Sequence, residues 1–243
     1  MKFYYLGTSE VRWLGQANVP LFISHRRLAG RKSFPRALTG WALDSGGFTE
    51  LSMYGEWRTT AREYNAAVWR YDQEIGNLEW ASACDMMCEP SQLARTGLTV
   101  LEHQRRTIAN FQELQDLWPG PDHDVPYVPV IQGWTPEDYE RCVDMYYAAG
   151  VDLSQCFLVG VGTMCRRQAS AEIDVILSTI QRHDPEIPPA RLRTEDVRAP
   201  ALRPPSHQRR QPCVVVPGEE RRAAAGPHPP EVQQLPRIRP GLA

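Results

Sequence analysis

Trp41-Ala42-Leu43-Asp44-Ser45-Gly46-Gly47-Phe48-Thr49-Glu50-Leu51 is the stretch on which the fold turns. Three apolar residues run without alternation into an aspartate, a serine and two glycines. A strand with one solvated face alternates, whereas a strand buried on both faces is apolar throughout and stops at a polar turn. Trp41–Asp44 therefore reads as a buried strand of a parallel sheet. Ser45-Gly46-Gly47 reads as the loop leaving its carboxyl end, where ligands bind in parallel α/β architectures.

Working outward, the same pattern recurs. Phe3–Leu6, Pro20–Ser24, Trp80–Cys84, Tyr127–Gln132 and Phe157–Val161 are short apolar runs ending at Gly, Ser or a polar residue. Helical patterns lie between them. One follows Thr60, with Glu63 three residues on as in a capping box, and places Tyr64, Ala67, Val68 and Tyr71 on one face. A second follows Thr99 and Glu102. A third starts at Thr135-Pro136, with Tyr139, Cys142, Val143 and Tyr146 as its apolar stripe. A fourth covers about 171–181, with Ile173, Ile176, Leu177 and Ile180 inward. Strands separated by helices predict parallel βαβ units. The count suits most of a TIM (β/α)8-type barrel, incomplete at its end. A doubly wound sheet fits nearly as well, although no dinucleotide or Walker-type glycine loop supports it.

The strand ends carry the polar chemistry: Asp44-Ser45-Gly46-Gly47-Phe48, then Cys84-Asp85-Met86-Met87-Cys88-Glu89, then Gln132-Gly133-Trp134, then Gly160-Val161-Gly162. Two carboxylates, an amide and bare backbone edges suit the Watson–Crick edge of guanine. A carboxylate accepts from N1–H and the amino group, an amide or backbone N–H serves the carbonyl, and glycines allow close approach. Phe48 or Met86 would cover the ring face. On these residues alone a turn and an unidentified polar ligand fit equally well. Cys84 and Cys88 lie at i and i+4 without a nearby His or second Cys pair, so they read as core or pocket wall and not as metal ligands.

The chain has 243 residues, a net charge of -2 and six scattered cysteines, which read as free thiols of a cytoplasmic protein. No apolar run is long enough to cross a bilayer, so no membrane partner is expected. Charge is uneven. Residues 188–243 hold ten Arg, no Lys, four Glu and one Asp, a net +5, with twelve of the 21 prolines and no aromatic residue. Such a segment buries too little apolar surface to offset its ordering entropy. The reading is therefore a partial barrel over 1–187 and a disordered Pro/Arg-rich tail over 188–243.

Together the four strand-end motifs resemble those of tRNA-guanine transglycosylases. Asp44-Ser45-Gly46-Gly47-Phe48 is similar to their Asp-Ser-Gly-Gly-Phe-Gln, with Thr49 in place of Gln. Asp85 resembles their second base-reading Asp, Gln132-Gly133 their Gln-Gly-Gly, and Leu158–Gly162 their Gly-Leu-Ala-Val-Gly. The DNA-acting branch, the deoxypurine-in-DNA protein A (DpdA) family, is the closer match, over nearly all of residues 3–187. The resemblance implies a TIM barrel and exchange of guanine in DNA for a 7-deazaguanine through a covalent sugar–carboxylate intermediate, with the target base taken out of the stack. It implies that Asp44 and Asp85 bind the base and Asp44 moves protons. Ser45, Gly46, Gly47 and Phe48 complete that wall, and Gln132, Gly160, Val161 and Gly162 hold the carbonyl side. His25-Arg26-Arg27, Arg105-Arg106 and Arg166-Arg167 would grip phosphates or simply be solvated charge.

The resemblance also implies a later nucleophilic Asp and a zinc site, and neither is matched after Ile187. Asp196 has no apolar strand before it and is not given the nucleophile's role. The tail fits GC-rich coding DNA read one base out of frame: Pro188–Val197 back-translates to codons that read RLHGFGRKTS, and 229–243 to codons that read a CxxC motif. The chain as written is expected to contain no cofactor ligands and to exchange little or no base. Two other functions remain: a queuine-type tRNA-guanine transglycosylase, and a non-catalytic base- or nucleic-acid-binding protein that keeps Asp44, Asp85 and Gln132.

Overall fold

The computed structural model describes residues 5–119, 125–164, 167, 170–188 and 192–194. Strands β1 (Leu6–Gly7), β2 (Leu21–Ser24), β3 (Trp41–Asp44), β4 (Leu78–Ser82) and β5 (Tyr127–Val128) form one parallel sheet in chain order. Strands β6 (Val130–Ile131), β7 (Val159–Val161) and β8 (Leu192–Thr194) form a second, also parallel and in chain order. Trp41, Ala42 and Leu43 of β3 are fully buried, as a strand covered on both faces must be.

The helices are α1 (His25–Leu28), α2 (Gly47–Tyr54), α3 (Ala61–Ile75), α4 (Pro90–Thr96), α5 (Val100–Leu117), α6 (Pro136–Ala148) and α7 (Ser170–His183). The long ones pack in chain order, α3 on α5, α5 on α6 and α6 on α7. A doubly wound sheet needs a point where strand order reverses and helices change face. Neither sheet has one among the described residues, and right-handed crossovers taken always in one direction keep the helices on one face. This sets the doubly wound alternative aside.

Several boundaries move, each for a local reason. The strand expected at Trp80–Cys84 sits two residues earlier. Asn77, at φ +56°, turns the chain into Leu78, and after Ser82 the chain leaves the sheet, with Asp85 N–H bonding back to Ala83 O at 2.9 Å. The run expected at Tyr127–Gln132 is split at Pro129, which has no N–H to donate, while its carbonyl accepts from Gly160 N–H at 2.8 Å. Val130 is served instead by the Tyr146 phenol of α6, which accepts from its N–H at 3.1 Å and donates to its carbonyl at 3.0 Å. The Thr60/Glu63 capping box is complete. At Thr99 only half forms, because the Glu102 carboxylate pairs with Arg106 instead.

β8 lies beyond the boundary expected at residue 187, paired along Val159–Val161. The rest of the expected disordered tail, 195–243, falls outside the described residues. Cys84, Cys88 and Cys142 are free thiols, but Cys156 is disulfide-bonded, against the expectation that all the cysteines are free. No helix among the described residues is long and apolar enough to cross a membrane.

Candidate functional site

β2 and β3 run in register from Leu21 beside Trp41 to Ser24 beside Asp44. Residues side by side on parallel strands point the same way, so the Ser24 hydroxyl reaches the Asp44 carboxylate, which also accepts from Gly46 N–H. Gly46 then takes φ +80°, and an added Cβ there would meet Arg26 Cγ at 2.7 Å. Only glycine fits both constraints. Gly47 begins α2, packed against Trp57, and Phe48 is half-buried behind it.

Asp44 and Glu50 lie six residues apart, and their surroundings push them in opposite directions. Burial raises the Asp44 carboxyl above the usual aspartate range, and its two hydrogen bonds only partly offset this. Burial would raise Glu50 too, but hydrogen bonds from the Thr59 hydroxyl and the Thr59 and Arg58 N–H groups, with Arg26 at 3.7 Å, hold it low. Glu50 is a satisfied structural anion.

After β4, the segment Ala83–Glu89 is pinned from several sides. Trp57 Nε1 donates to Asp85 O at 3.0 Å, Met86 N–H to the Thr107 hydroxyl at 2.9 Å, and Cys88 N–H to the Thr163 hydroxyl at 2.9 Å. His103 donates through Nδ1 to Met87 O at 2.8 Å, and burial keeps it neutral by lowering its pKa. Asp85, 6 % exposed, is aimed inward. Its Oδ2 accepts from Gln132 Nε2 at 2.5 Å, and the Ser45 hydroxyl approaches Oδ1 at 3.5 Å. Gln132 is fully buried, its carbonyl held by Gln104 Nε2 at 2.7 Å and its side-chain Oε1 by the Thr163 hydroxyl at 2.6 Å. Gly162 closes this wall: a Cβ there would fall 2.2 Å from Gln132 Nε2. Tyr139 holds Gly162 by donating to its carbonyl at 3.0 Å.

Ser45, Asp85, Gln132 and Gly162 thus converge from four strand ends, with Asp44 beside Ser45. Gly160 and Val161 sit within β7 as its support. Phe48 and Met86 have no demonstrated place over a ligand, and Met86 is 2 % exposed in the core. Thr163 was not singled out in the sequence, because its partners are 31 and 75 residues away. Two cavities lie elsewhere. One, of about 390 Å3, lies between α1 and α3 and includes His25, Tyr71 and Arg70. The other, of about 280 Å3, lies along α7 and includes Arg167 and Ile176. Beside the first cavity, Arg70 is bonded to Glu74 and to the carbonyls of Arg31 and Lys32.

The basic clusters are partly committed. His25 is buried against Tyr71, Arg106 pairs with Glu102, and Arg167 stacks on Trp134 at 4.7 Å, while Arg26, Arg27 and Arg105 are exposed. Arg166 lies outside the described residues. No group of three or more His, Cys, Asp or Glu among the described residues is placed to hold a metal. Burial pushes the Cys84 and Cys88 thiols up.

Fold and site define a singly ordered parallel α/β protein with carboxylate, amide and hydroxyl groups converging beyond its strands. Residues 1–198 match the family of DpdA, deoxypurine in DNA protein A, and the chain belongs to that family. Membership carries a transglycosylase-like role in DNA modification, in general terms, with DNA as the substrate. The match extends past residue 187 and includes β8, so family-like sequence continues further than the motifs indicated. No curated protein matches the chain.

Proposed function

We propose that the strand-end cluster is the base pocket of a DNA transglycosylase that exchanges guanine for a 7-deazaguanine, set in a partial TIM-type barrel. The observation that carries this reading is the Gln132–Asp85 pair, closed at 2.5 Å in a buried wall and flanked by Ser45 and Gly162. A carboxylate beside an amide donor complements the N1–H, amino and carbonyl edge of guanine and mismatches adenine. Asp44, with its raised pKa, would pass a proton to or from the departing base. Arg26, whose stem lies over Gly46 and whose guanidinium is 3.7 Å from Glu50, would meet a phosphate of the extruded strand.

No described residue is assigned the nucleophile, so base binding and base exchange are separate predictions. Titration of the purified chain with guanine, 7-deazaguanine and adenine tests the first. The two guanine-type bases should bind, adenine should not, and Asp85→Ala should abolish binding. Equal affinity for adenine, or no saturable binding, refutes the pocket. Supplying labelled 7-deazaguanine with duplex DNA or tRNA tests the second. The 243-residue chain should transfer little or none, and efficient labelling of tRNA would overturn the DNA assignment. The nucleotide sequence tests the further proposal that a shifted reading frame produced the tail. Codons that cannot yield the family-like peptides in the shifted frame would rule it out.

A further inference from the structure

Thr163 has the least expected backbone at the strand ends. It sits at φ +61°, a left-handed conformation that a β-branched residue rarely adopts, and is 5 % exposed. Its hydroxyl accepts from Cys88 N–H at 2.9 Å and donates to Gln132 Oε1 at 2.6 Å. A hydroxyl carries one proton and two lone pairs, so both bonds form at once. Across the amide, Asp85 Oδ2 accepts from Gln132 Nε2 at 2.5 Å. The amide is therefore clamped between a donor and an acceptor. Rotating it by a half-turn would set two acceptor oxygens against each other at the Asp85 side.

The orientation matters because Nε2 carries two protons. One goes to Asp85, and on the base-pocket reading the second would be offered to the base. We propose that Thr163 is a positioning residue that locks Gln132 as a donor and so selects 6-oxopurines against 6-aminopurines. A 6-oxopurine meets that proton with an acceptor, and a 6-aminopurine meets it with another donor. If Thr163 loses its hydroxyl, Oε1 loses its partner. The half-turn is then opposed by Asp85 alone, and a 6-amino group donating on the base side offsets part of that cost. The inference rests on the base-pocket reading above and adds the residue that sets its selectivity.

The test is calorimetric titration of the full chain with guanine and with 2,6-diaminopurine, which share the 2-amino group and differ at position 6 and at N1, where only guanine carries a hydrogen for Asp85. The parent should prefer guanine by about tenfold or more, as expected when a buried polar group is left mispaired. Thr163→Ser keeps the hydroxyl and should keep that ratio. Thr163→Val keeps the shape without the hydroxyl and should narrow the ratio by about threefold or more, the N1 difference at Asp85 remaining. Thr163→Ala, which relieves the β-branched strain, should do the same, and decides the matter if the valine variant fails to fold. Parent-like selectivity in a folded hydroxyl-free variant, or lost selectivity in the serine variant, overturns the proposal while leaving the pocket in place. If the parent binds neither base, the pocket reading falls and this inference falls with it.

Discussion

Gly162→Ala separates a glycine kept for close approach from one kept for backbone freedom. Gly162 does not have positive φ, so alanine is acceptable to its backbone. Its space is not available: the new methyl would lie 2.2 Å from Gln132 Nε2, 2.6 Å from Cδ and 2.8 Å from Oε1. The end of a glutamine can usually swing aside at little cost. Here the side chain is fully buried, and leaving its place breaks the bonds to Asp85 and Thr163. A hydrogen bond to a charged group contributes about 1.5–3 kcal/mol and a neutral one about 1 kcal/mol, so the loss should be about 3 kcal/mol. For an ordered region of this size that lowers Tm by roughly 6–12 °C. Scanning calorimetry reads the shift, and titration with guanine should show binding lost. Gly7→Ala is the control, because a methyl there meets nothing within 4 Å. A Gly162→Ala chain with unchanged Tm and intact guanine binding would refute the argument that Gln132 is locked.

Asp44→Asn should remove guanine binding or turnover yet leave the protein as stable as the parent at neutral pH, or more so. The raised folded pKa means that the native state binds more protons than the unfolded state between the ordinary aspartate value and the folded one. Parent stability therefore falls as pH rises through that window, and the asparagine variant should lack this fall. Urea midpoints measured across that range check it, and parallel pH profiles for the two chains would contradict the assignment. Tyr146→Phe strands both Val130 N–H and Val130 C=O in a fully buried setting. It should cost about 2–4 kcal/mol in denaturant unfolding without altering the preference for guanine over 2,6-diaminopurine. A change of less than about 1 kcal/mol would show that other donors or water replace the phenol.

Much of this architecture is written locally. Trp41–Asp44 was readable because a strand buried on both faces needs no alternation. α3 and α6 were readable because Thr60 and Thr135-Pro136 mark helix starts and because one helix face each is apolar. α2 was missed because Ser45-Gly46-Gly47 reads as a turn, although Gly55 at φ +73° is an ordinary helix stop. α4 carried its signals too, Pro90 at the first helical position and Gly97 after the last, but it is only seven residues long. β8 was hidden by the Arg- and Pro-rich composition around it, since strand pairing with β7 depends on tertiary context. At the site, Asp44, Asp85 and Gln132 were visible as polar residues ending apolar runs. Thr163 was not, because a hydroxyl joining two loops leaves no periodic trace.

Departures from local rules cluster where the function is proposed. Two non-glycine residues among those described have positive φ, and they differ in kind. Asn77 belongs to a residue type that tolerates the left-handed region, and its side chain donates to Ala37 O at 2.9 Å, so its turn is self-explanatory. Thr163 has no such tolerance, and its neighbours are the carboxylate–amide pair. The same contrast separates Glu50, a buried carboxylate fully bonded and held low, from Asp44, a half-buried carboxylate whose pKa is raised. Strain and unfavourable burial persist in a folded chain where surrounding structure over-determines them, and such places concentrate at functional sites. Asp44 ends β3 of one sheet, while Thr163 and the crowded Gly162–Gln132 contact lie just past the carboxyl ends of β6 and β7 of the other. That convergence, more than the volume of any cavity, argues for the strand-end cluster over the cavity at His25.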